Sequence, residues 1–349
     1  MTMLWCWSPI PIRSSVETAW KRICGKSLCT PTKKFLERQQ KKRARQIEAR
    51  RKGQKNSRWK KNHFPETPDN NQGARGDRFY GDSAQQPDLG AEIYQDAEKR
   101  FLDSLNLTSC EIKKVEEDTR NQCESDRWKE ERRKRLTASR FGEICKIRDT
   151  TSFAPTRSAA SHIPQAVCST EAIEYGKASE RLAEEFKKQT GLSVRPSGLV
   201  VSSDFPYLAA SPDGIASDGN VLKLKYPFTA RSMTPKEAAS KFGSGFFCSL
   251  TTDTLTLRKT HNYYYQVQGQ LHLTGANLCY FIVWTPCRMS IEKINFDTRF
   301  WEERMLPKLQ RFYLNCLLPE LVDSRMSRNM QIREPEYILE AQHAETKEK

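Results

Sequence analysis

The sequence lacks the cysteine and histidine spacings of a zinc-binding protein. None of its eleven cysteines forms a CxxC pair, and its five histidines do not follow the cysteines at zinc-ligand spacing. An odd, scattered set of cysteines is also unlike the disulfide framework of a small secreted protein. We therefore expect free thiols in a reducing compartment.

Long apolar segments are missing as well. No run approaches the roughly 18 to 20 apolar residues that a membrane-spanning helix needs. The opening stretch, MTMLWCWSPIPI, is apolar but lacks the basic leader and small-residue cleavage site of a signal peptide. These absences predict an intracellular protein with no membrane partner.

Positive charge, by contrast, is abundant and uneven. Residues 33–61 contain fourteen Lys or Arg against two acidic residues, so this tract supplies +12 of the net charge of +15. Three interpretations stay open: a solvated tail, a nuclear-import signal, which would give a nuclear location, or non-specific contact with phosphates. Residues 62–92 are rich in Pro, Gly, Asn and Asp, which is typical of a linker. We predict that residues 1–92 are a disordered basic region and linker.

From residue 93 onward the patterns predict two ordered segments followed by a flexible one. Residues 93–124 have the pattern of leading helices, with Thr108 and Glu111 at the spacing of a capping box. Residues 125–322 are predicted to form a mixed α/β domain around a small sheet, and residues 323–349 a flexible C-terminal tail. Within the domain we expect helices at 125–146, with a break near Thr137, at 170–190, at 261–275 and around a kink at Pro307, and strands at 198–202, 207–211, 220–227 and 278–286.

The stretch SPDGIASDGNVLKLKYP is the main candidate for a functional site. Side chains alternate along a strand, so Lys223 and Lys225 point to one side and Leu222 and Leu224 to the other. A turn of about seven residues returns this strand beside Asp213. An acidic turn residue facing a strand lysine is the skeleton of a metal-dependent phosphodiesterase, in which carboxylates hold Mg²⁺. An ordinary surface hairpin with its lysines in water is the alternative.

Six stretches, in order, carry a resemblance to a known family: RWKEERRKRLTASRFGEICK, YGKASERLAEEF, PSGLVVSSDFPYLAASPDG, LKLKYPFTAR, THNYYYQVQGQLHLTG and YFIVWTP. From about Thr119 to Leu321 the chain resembles the YqaJ viral recombinase family, which is similar to lambda-type exonucleases within the PD-(D/E)xK nucleases. The resemblance implies a restriction-endonuclease-like α/β core, a small mixed sheet flanked by helices. It also implies 5′-to-3′ hydrolysis of linear duplex DNA ends with Mg²⁺ or Mn²⁺, and descent from a mobile element. The resemblance further leads us to expect a homo-oligomer and a single-strand-annealing recombination partner.

The resemblance assigns catalytic roles to several residues. Glu180 matches a helix carboxylate near the metal, and Asp213 matches the metal-binding aspartate. Lys225 matches the catalytic lysine, and the carbonyl of Leu224 matches a backbone metal ligand. Gln268 matches a helix glutamine that lines the active site. Alternatively, Glu180 is an ordinary helix-border carboxylate and Gln268 a buried amide that satisfies backbone groups.

The resemblance also implies a pocket for the 5′ phosphate. Arg132, Ser139 and Arg231 match its residues, and a hydroxyl with two guanidinium groups suits a terminal phosphate. The alternatives are that Ser139 caps the following helix and that Arg132 belongs to a solvated charged face.

One position departs from the family pattern. The family strand has Glu-x-Lys, whereas this chain has Lys223-Leu224-Lys225. A unit charge at 4 Å is worth about 4 kcal/mol at an effective dielectric constant of 20, and about twice that against a divalent ion. We therefore expect weak Mg²⁺ binding, with Asp213 paired to Lys223 and Lys225, unless Glu180 replaces the missing ligand. The sequence leaves three functions open: an exonuclease, an inactive DNA-end-binding pseudonuclease, or a decayed mobile-element protein.

Overall fold

The computed structural model describes residues 88–152, 182–325, 328, 330 and 332–347. Nearly all of the predicted basic region and linker lies outside these residues, and so does the start of the helix predicted at 170–190. No helix in the described ranges is long and apolar enough to cross a membrane. The cysteines in these ranges are free thiols, as expected: Cys110, Cys123, Cys145, Cys248, Cys279, Cys287 and Cys316.

Helices form both ends of the described chain and separate its strands. They are α1 (Ala91–Leu105), α2 (Ser109–Asp118), α3 (Asp126–Arg133), α4 (Ala138–Cys145), α5 (Pro235–Phe242), α6 (Asn262–Thr274), α7 (Leu306–Phe312), α8 (Leu318–Val322) and α9 (Glu336–Lys347). Residues 182–190 are also helical, and π-helical turns at Phe300–Met305 and Tyr313–Leu317 lie on either side of α7.

Two predicted helix ends are confirmed. The hydroxyl of Thr108 accepts a hydrogen bond from the Glu111 N–H, and the Glu111 carboxylate accepts one from the Thr108 N–H, which is the expected capping box at the start of α2. Farther along the chain, α6 stops at Gly275, whose φ of +68° lies in the left-handed region that glycine adopts without strain.

The strands build a mixed sheet flanked by helices, which confirms the predicted fold class. The strands are β1 (Leu136–Thr137), β2 (Val194–Arg195), β3 (Val200–Val201), β4 (Leu208–Ala210), β5 (Gly214–Ala216), β6 (Val221–Lys225), β7 (Cys248–Thr251), β8 (Thr254–Leu257), β9 (Leu278–Trp284) and β10 (Met289–Asn295). The main sheet has the order β10-β9-β6-β5-β2, with β6 parallel to β9 and the other neighbours antiparallel. A smaller sheet has the order β1-β4-β3, and β7 pairs with β8.

The two faces of β6 enter different cores, as its alternating sequence predicts. Leu222 and Leu224 pack with Phe186 and other apolar residues on one side of the sheet. Val221 packs on the other side with Val267 of α6. The lysine face of β6 therefore looks toward α6 rather than into water.

Close contact between α4 and α6 fixes the helix that covers this face. A Cβ on Gly269 would lie 2.4 Å from Cδ2 of Phe141, and a Cβ on Gly142 would lie 2.6 Å from the Cα of Asn262. Glycine at both positions lets the two helices approach without displacing a ring or a backbone. The position of α6 against α4 is consequently set by close packing at these two glycines.

Several elements differ from the sequence-based expectation. Residues 214–216, expected within a turn, form β5, because Ile215 and Ala216 are buried against the cores. The break predicted near Thr137 within 125–146 is confirmed, but it contains the two-residue strand β1, which is too short to show periodicity. The segment predicted as a flexible tail contains α9, whose Ile338 is buried in the core beside α8.

Candidate functional site

Asp213 lies in the turn between β4 and β5, directly beside β6. Its backbone N–H donates to the carbonyl of Leu222 at 3.2 Å, which extends the β5–β6 hairpin by one residue. The hairpin therefore places the Asp213 side chain against the lysine face of β6, as the sequence predicts.

Both carboxylate oxygens of Asp213 have partners in the chain. Nζ of Lys223 lies 2.9 Å from Oδ1, and the backbone N–H of Leu224 donates to Oδ2 at 2.7 Å. The side chain of Lys223 is 8% exposed and that of Asp213 16%. This ion pair is therefore largely removed from water, where neither charge would be tolerated alone.

The described residues do not fit a magnesium site. The ammonium group of Lys223 stands at the strand position where a second carboxylate would be required, and hard cations need oxygen ligands. Across the ranges that the structure describes, no three His, Cys, Asp or Glu side chains come together in a way that could hold a metal ion. Glu180, the suggested replacement ligand, lies outside the described residues.

Lys225 lies on the same face of β6 and is covered by an aromatic ring. Its Nζ is 3.7 Å from the centre of the Tyr263 ring, a cation–π distance. Tyr263 belongs to the first turn of α6, which His261 caps by accepting the Tyr263 N–H on Nδ1 at 3.2 Å. Burial, together with the charges of Lys146 and Lys225, lowers the pKa of His261. The neutral imidazole that the cap requires is thus favoured.

The three buried glutamines of α6 lie on two sides of the helix, with Gln268 on one and Gln266 and Gln270 on the other. The fully buried Gln268 donates from Nε2 to the carbonyl of Asn295 at 3.0 Å and accepts the N–H of Asp297 on Oε1 at 2.8 Å. This is the backbone-satisfying role that the sequence left open as the alternative, on the side of α6 where β10 ends.

Gln270 instead faces the turn that carries Asp213. Its Nε2 donates to the carbonyl of Ser211 at 3.0 Å, and its buried Oε1 has no hydrogen-bond partner among the described residues. Gln266, one turn earlier, lies on the same face of α6 as Tyr263 and Gln270. The helical period of these three positions was the signal by which sequence analysis could have selected Gln266 and Gln270.

The predicted phosphate residues lie on three elements. Arg132 of α3 is half-buried, with its guanidinium carbon 4.1 Å from the centre of the Trp128 ring. Ser139 is exposed in the first turn of α4, and its hydroxyl lies 3.2 Å from that of Thr137. Because Thr137 occupies the cap position of α4, Ser139 is not the helix cap. The β1–β4 pairing brings this region beside the strand that leads to Asp213.

Arg231 follows the end of β6, on the short helical turn Phe228–Ala230. It is exposed, and its guanidinium carbon lies 4.3 Å from the centre of the Phe228 ring, which is itself 56% exposed. A cation and an aromatic face are therefore presented to solvent three to six residues after Lys225.

Residues 127–277 match the family model of the YqaJ-like viral recombinase domain. This segment, which makes up less than half of the chain, is similar to that domain, and we name it the YqaJ-like domain. The match confirms the resemblance identified in the sequence, and it covers α3 to α6 with the whole Asp213 site. No curated protein matches the chain.

Solved structures of exonucleases are similar to this chain at low identity. The alkaline exonuclease LHK-Exo from Laribacter hongkongensis is 20% identical, with 57% of this chain and 94% of that chain covered and a TM-score of 0.42. The Shutoff and Exonuclease Protein from Kaposi's sarcoma-associated herpesvirus is 12% identical, with 70% and 77% covered and a TM-score of 0.38. A SOX–DNA complex is 11% identical, with 60% and 71% covered and a TM-score of 0.37.

A residue just before the YqaJ-like domain also supports the Asp213 turn. The Nε2 of Gln122 donates to the carbonyls of Ser197 and Pro212, at 3.0 and 2.9 Å. Gln122 has a φ of +46°, an unfavourable left-handed conformation for a side chain with a Cβ. Sequence analysis missed this residue, since no local pattern indicates either its backbone conformation or its distant partners.

Proposed function

We propose that this protein binds DNA ends with a nuclease architecture and does not cleave them. Lys223 stands at the strand position where the second carboxylate ligand of a catalytic metal would be required, and it thereby prevents cleavage. The observation that supports this function is the buried ion pair between Asp213 and Lys223. The YqaJ-like domain supports DNA as the ligand class.

The charge of the site favours a phosphate over a metal ion. Asp213, Lys223 and Lys225 together carry a net charge of +1, whereas a glutamate at position 223 would give a net charge of −1. A site with surplus positive charge attracts an anion and repels a divalent cation, and low solvent exposure strengthens both effects. Electrostatics therefore supports binding of a DNA phosphate without metal.

The residues around the site suit contact with a DNA end. Arg132 and Ser139 offer guanidinium and hydroxyl donors beside β1, and they are proposed to hold the 5′ phosphate. Arg231 and the exposed ring of Phe228 offer a cation and a stacking surface beyond β6. Such binding falls steeply as the salt concentration rises, because phosphate contacts release counterions.

The YqaJ-like match favours a second candidate function, a 5′-to-3′ DNA exonuclease that uses Mg²⁺ or Mn²⁺. It requires a further carboxylate at the site, and Glu180 is the residue proposed for that role. An annealing partner, a homo-oligomer, descent from a mobile element and a nuclear location stay predictions of the sequence.

The test is binding and cleavage of linear duplex DNA with 5′-phosphorylated ends, measured in Mg²⁺, in Mn²⁺ and in a chelator. The natural protein is expected to bind in chelator and to leave the DNA intact in either metal. Lys223→Glu is expected to gain metal-dependent cleavage, and Lys293→Glu, an exposed charge reversal on β10, is the matched control. Cleavage by the natural protein that Asp213→Ala abolishes would establish the exonuclease instead.

A further inference from the structure

The end of α5 presents an aromatic ring and a cation to solvent together. Phe242, the last residue of this helix, is 37% exposed. Nζ of the exposed Lys241 lies 5.9 Å from the centre of the Phe242 ring. Aromatic rings that stack on bases, beside cations that contact the backbone, are the groups with which proteins bind single-stranded nucleic acid.

Phe242 is the outermost ring of a stacked row. Its ring centre lies 6.3 Å from that of Phe246 at an interplanar angle of 28°, and the centres of Phe246 and Phe247 are 4.4 Å apart at 29°. Phe246 is buried and Phe247 is half-buried. A base that stacks on Phe242 would extend this row, and it would meet a ring that the inner two already hold in place.

The turn that follows Phe242 is fixed by an arginine. Nε of Arg258 donates to the carbonyl of Phe246 at 3.0 Å, and its Nη2 donates to the carbonyl of Gly243 at 2.9 Å. Arg258 therefore orders the turn and brings a second positive charge to it. Positive charge at this turn favours the phosphates of a nucleic acid.

An open depression on α5 adjoins the same lysine. It is lined by Met233, Lys236, Glu237, Ser240 and Lys241. Nζ of Lys236 is paired with Asp253 at 2.6 Å, and the Glu237 carboxylate accepts the Thr234 N–H in the capping box of α5. Within the described residues no carboxylate is paired with Lys241, so its charge is the one that this depression offers to a phosphate.

The depression continues the surface that follows β6. Met233, on its wall, lies two residues after Arg231, whose guanidinium covers the exposed ring of Phe228. Lys241 and Phe242 repeat this pairing of a cation with an exposed ring at the far end of α5. The segment 228–242 thus leads from the end of β6 to a second pair of stacking and phosphate-binding groups.

We propose that α5 and the turn after it bind a single-stranded tail of the DNA, with an unpaired base stacked on Phe242 and a backbone phosphate held by Lys241. This surface rests on the proposed DNA-end binding and specifies the class of end. Because Arg132 and Ser139 are proposed to hold the 5′ phosphate, the tail belongs to the strand with the 3′ terminus.

The test compares the affinities of the full chain for two 5′-phosphorylated duplexes in chelator, one with blunt ends and one with an oligothymidine 3′ tail. The natural protein is expected to bind the tailed duplex about tenfold more tightly, the factor that corresponds to stacking of one base. Phe242→Leu keeps an apolar side chain against Phe246 and should reduce the preference to about twofold or less. Phe242→Trp should retain it.

Lys241→Gln tests the phosphate contact separately. It is expected to lower the preference for the tailed duplex about threefold. The slope of log affinity against log salt concentration for that duplex should also become shallower by about 0.7, as expected for one phosphate of a single strand. Neither Phe242→Leu nor Lys241→Gln should change the affinity for the blunt duplex.

Two controls lie outside α5. Leu250→Ala shortens an apolar side chain of β7 that is 39% exposed. Lys293→Gln removes an exposed lysine whose Nζ is likewise 5.9 Å from an aromatic ring, that of Tyr280. Both variants are expected to keep the preference for the tailed duplex.

The outcomes separate this surface from the function on which it rests. A protein that binds neither duplex in chelator would contradict DNA-end binding and the tail surface together. Equal affinity for the two duplexes, or a preference that survives in both Phe242→Leu and Lys241→Gln, would overturn the tail surface alone.

Discussion

Nζ of Lys223 lies 2.9 Å from Oδ1 of Asp213, inside a hairpin that shields both groups from water. The lysine provides internally the positive charge that the aspartate would otherwise need from an ion. This relationship neutralises the Asp213 carboxylate within the chain, and it has consequences for stability as well as for function.

Removal of the Lys223 charge should destabilise the fold. Lys223→Met would remove the ammonium partner of a largely buried carboxylate, while the Leu224 N–H would still donate to Oδ2 of Asp213. Breaking a buried pair costs about 3 to 5 kcal/mol, and the partial exposure of Asp213 reduces our expectation to about 2 to 3 kcal/mol. Urea unfolding measures it, and the double variant Lys223→Met/Asp213→Asn should recover part of the loss. Loss no greater than that of Lys293→Met would contradict the prediction.

The cap of α6 should make stability depend on pH. His261 accepts the Tyr263 N–H, so protonation of Nδ1 removes the acceptor. Its folded pKa is lowered by burial and by Lys146 and Lys225, so the unfolded chain binds the proton more readily. Stability is therefore complete above about pH 6.5, the unfolded pKa of histidine, and falls as the pH drops below it.

The measurement for His261 is the difference in melting temperature between pH 7.5 and pH 5.5. His261→Asn retains a capping acceptor that does not titrate, so this variant should lose less stability on acidification. Burial also lowers the pKa of His272, which adds a dependence of the same sign to both proteins. Equal acid sensitivity of the two proteins would exclude the cap as its source.

An ion-pair network ties the residues before α1 to the residues after α8. Asp88 contacts Arg325, Arg328 and Arg333, and hydrogen bonding to Arg325 is the main cause that lowers the pKa of Asp88 to about 2. A depressed carboxyl pKa stabilises the fold above the unfolded value of about 3.9, and this stabilisation is lost as the pH falls toward 2. Solvent screening reduces the expected contribution to about 1 to 2 kcal/mol.

Asp88→Asn tests this network. The variant should be about 1 to 2 kcal/mol less stable than the natural protein at pH 6, and the difference should shrink between pH 4 and pH 2. Asp96→Asn, which removes an exposed carboxylate paired with Arg100 within α1, is the matched control. A constant difference across this pH range would show that the ionisation of Asp88 does not matter.

Local patterns predicted the parts of this fold that local physics decides. The alternation in β6, the capping box at Thr108 and the glycine stop of α6 each depend on residues within one element, and each is confirmed. In contrast, β5 and α9 depend on burial against distant elements, so their sequences gave no sufficient signal.

The site shows the same division. The approach of Asp213 to the lysine face followed from the hairpin alone. The supports of its turn, Gln122, Trp128 and Gln270, come from three elements separated along the chain. Their roles arise only from the tertiary arrangement. The family motif likewise indicated a glutamine of α6, but helix rotation decides which glutamine meets the site.

Gln268 and Gln270 should therefore give contrasting variants. Gln268→Leu leaves the carbonyl of Asn295 and the N–H of Asp297, which are bound in a partly buried position, without their amide partner, and each unsatisfied group costs about 1 to 3 kcal/mol when buried. We expect a loss of about 2 to 4 kcal/mol in unfolding free energy. DNA-end affinity should not change under conditions where the variant is folded, because the substitution lies on the β10 side of α6.

Gln270→Leu removes one bond to the Ser211 carbonyl together with a carbonyl oxygen that has no partner in the described residues. Loss of the hydrogen bond lowers the stability, whereas loss of the unsatisfied buried oxygen raises it. Because the two effects oppose one another, we expect a change in unfolding free energy below about 1 kcal/mol. Gln270→Leu should instead disturb the turn that carries Asp213, and this disturbance should lower cleavage activity. In the Lys223→Glu background, Gln270→Leu should reduce the metal-dependent cleavage that Lys223→Glu provides, whereas Gln268→Leu should leave it intact in folded protein. The reverse pattern would place Gln268 at the site, because only a glutamine that adjoins the Asp213 turn can affect cleavage without unfolding the domain.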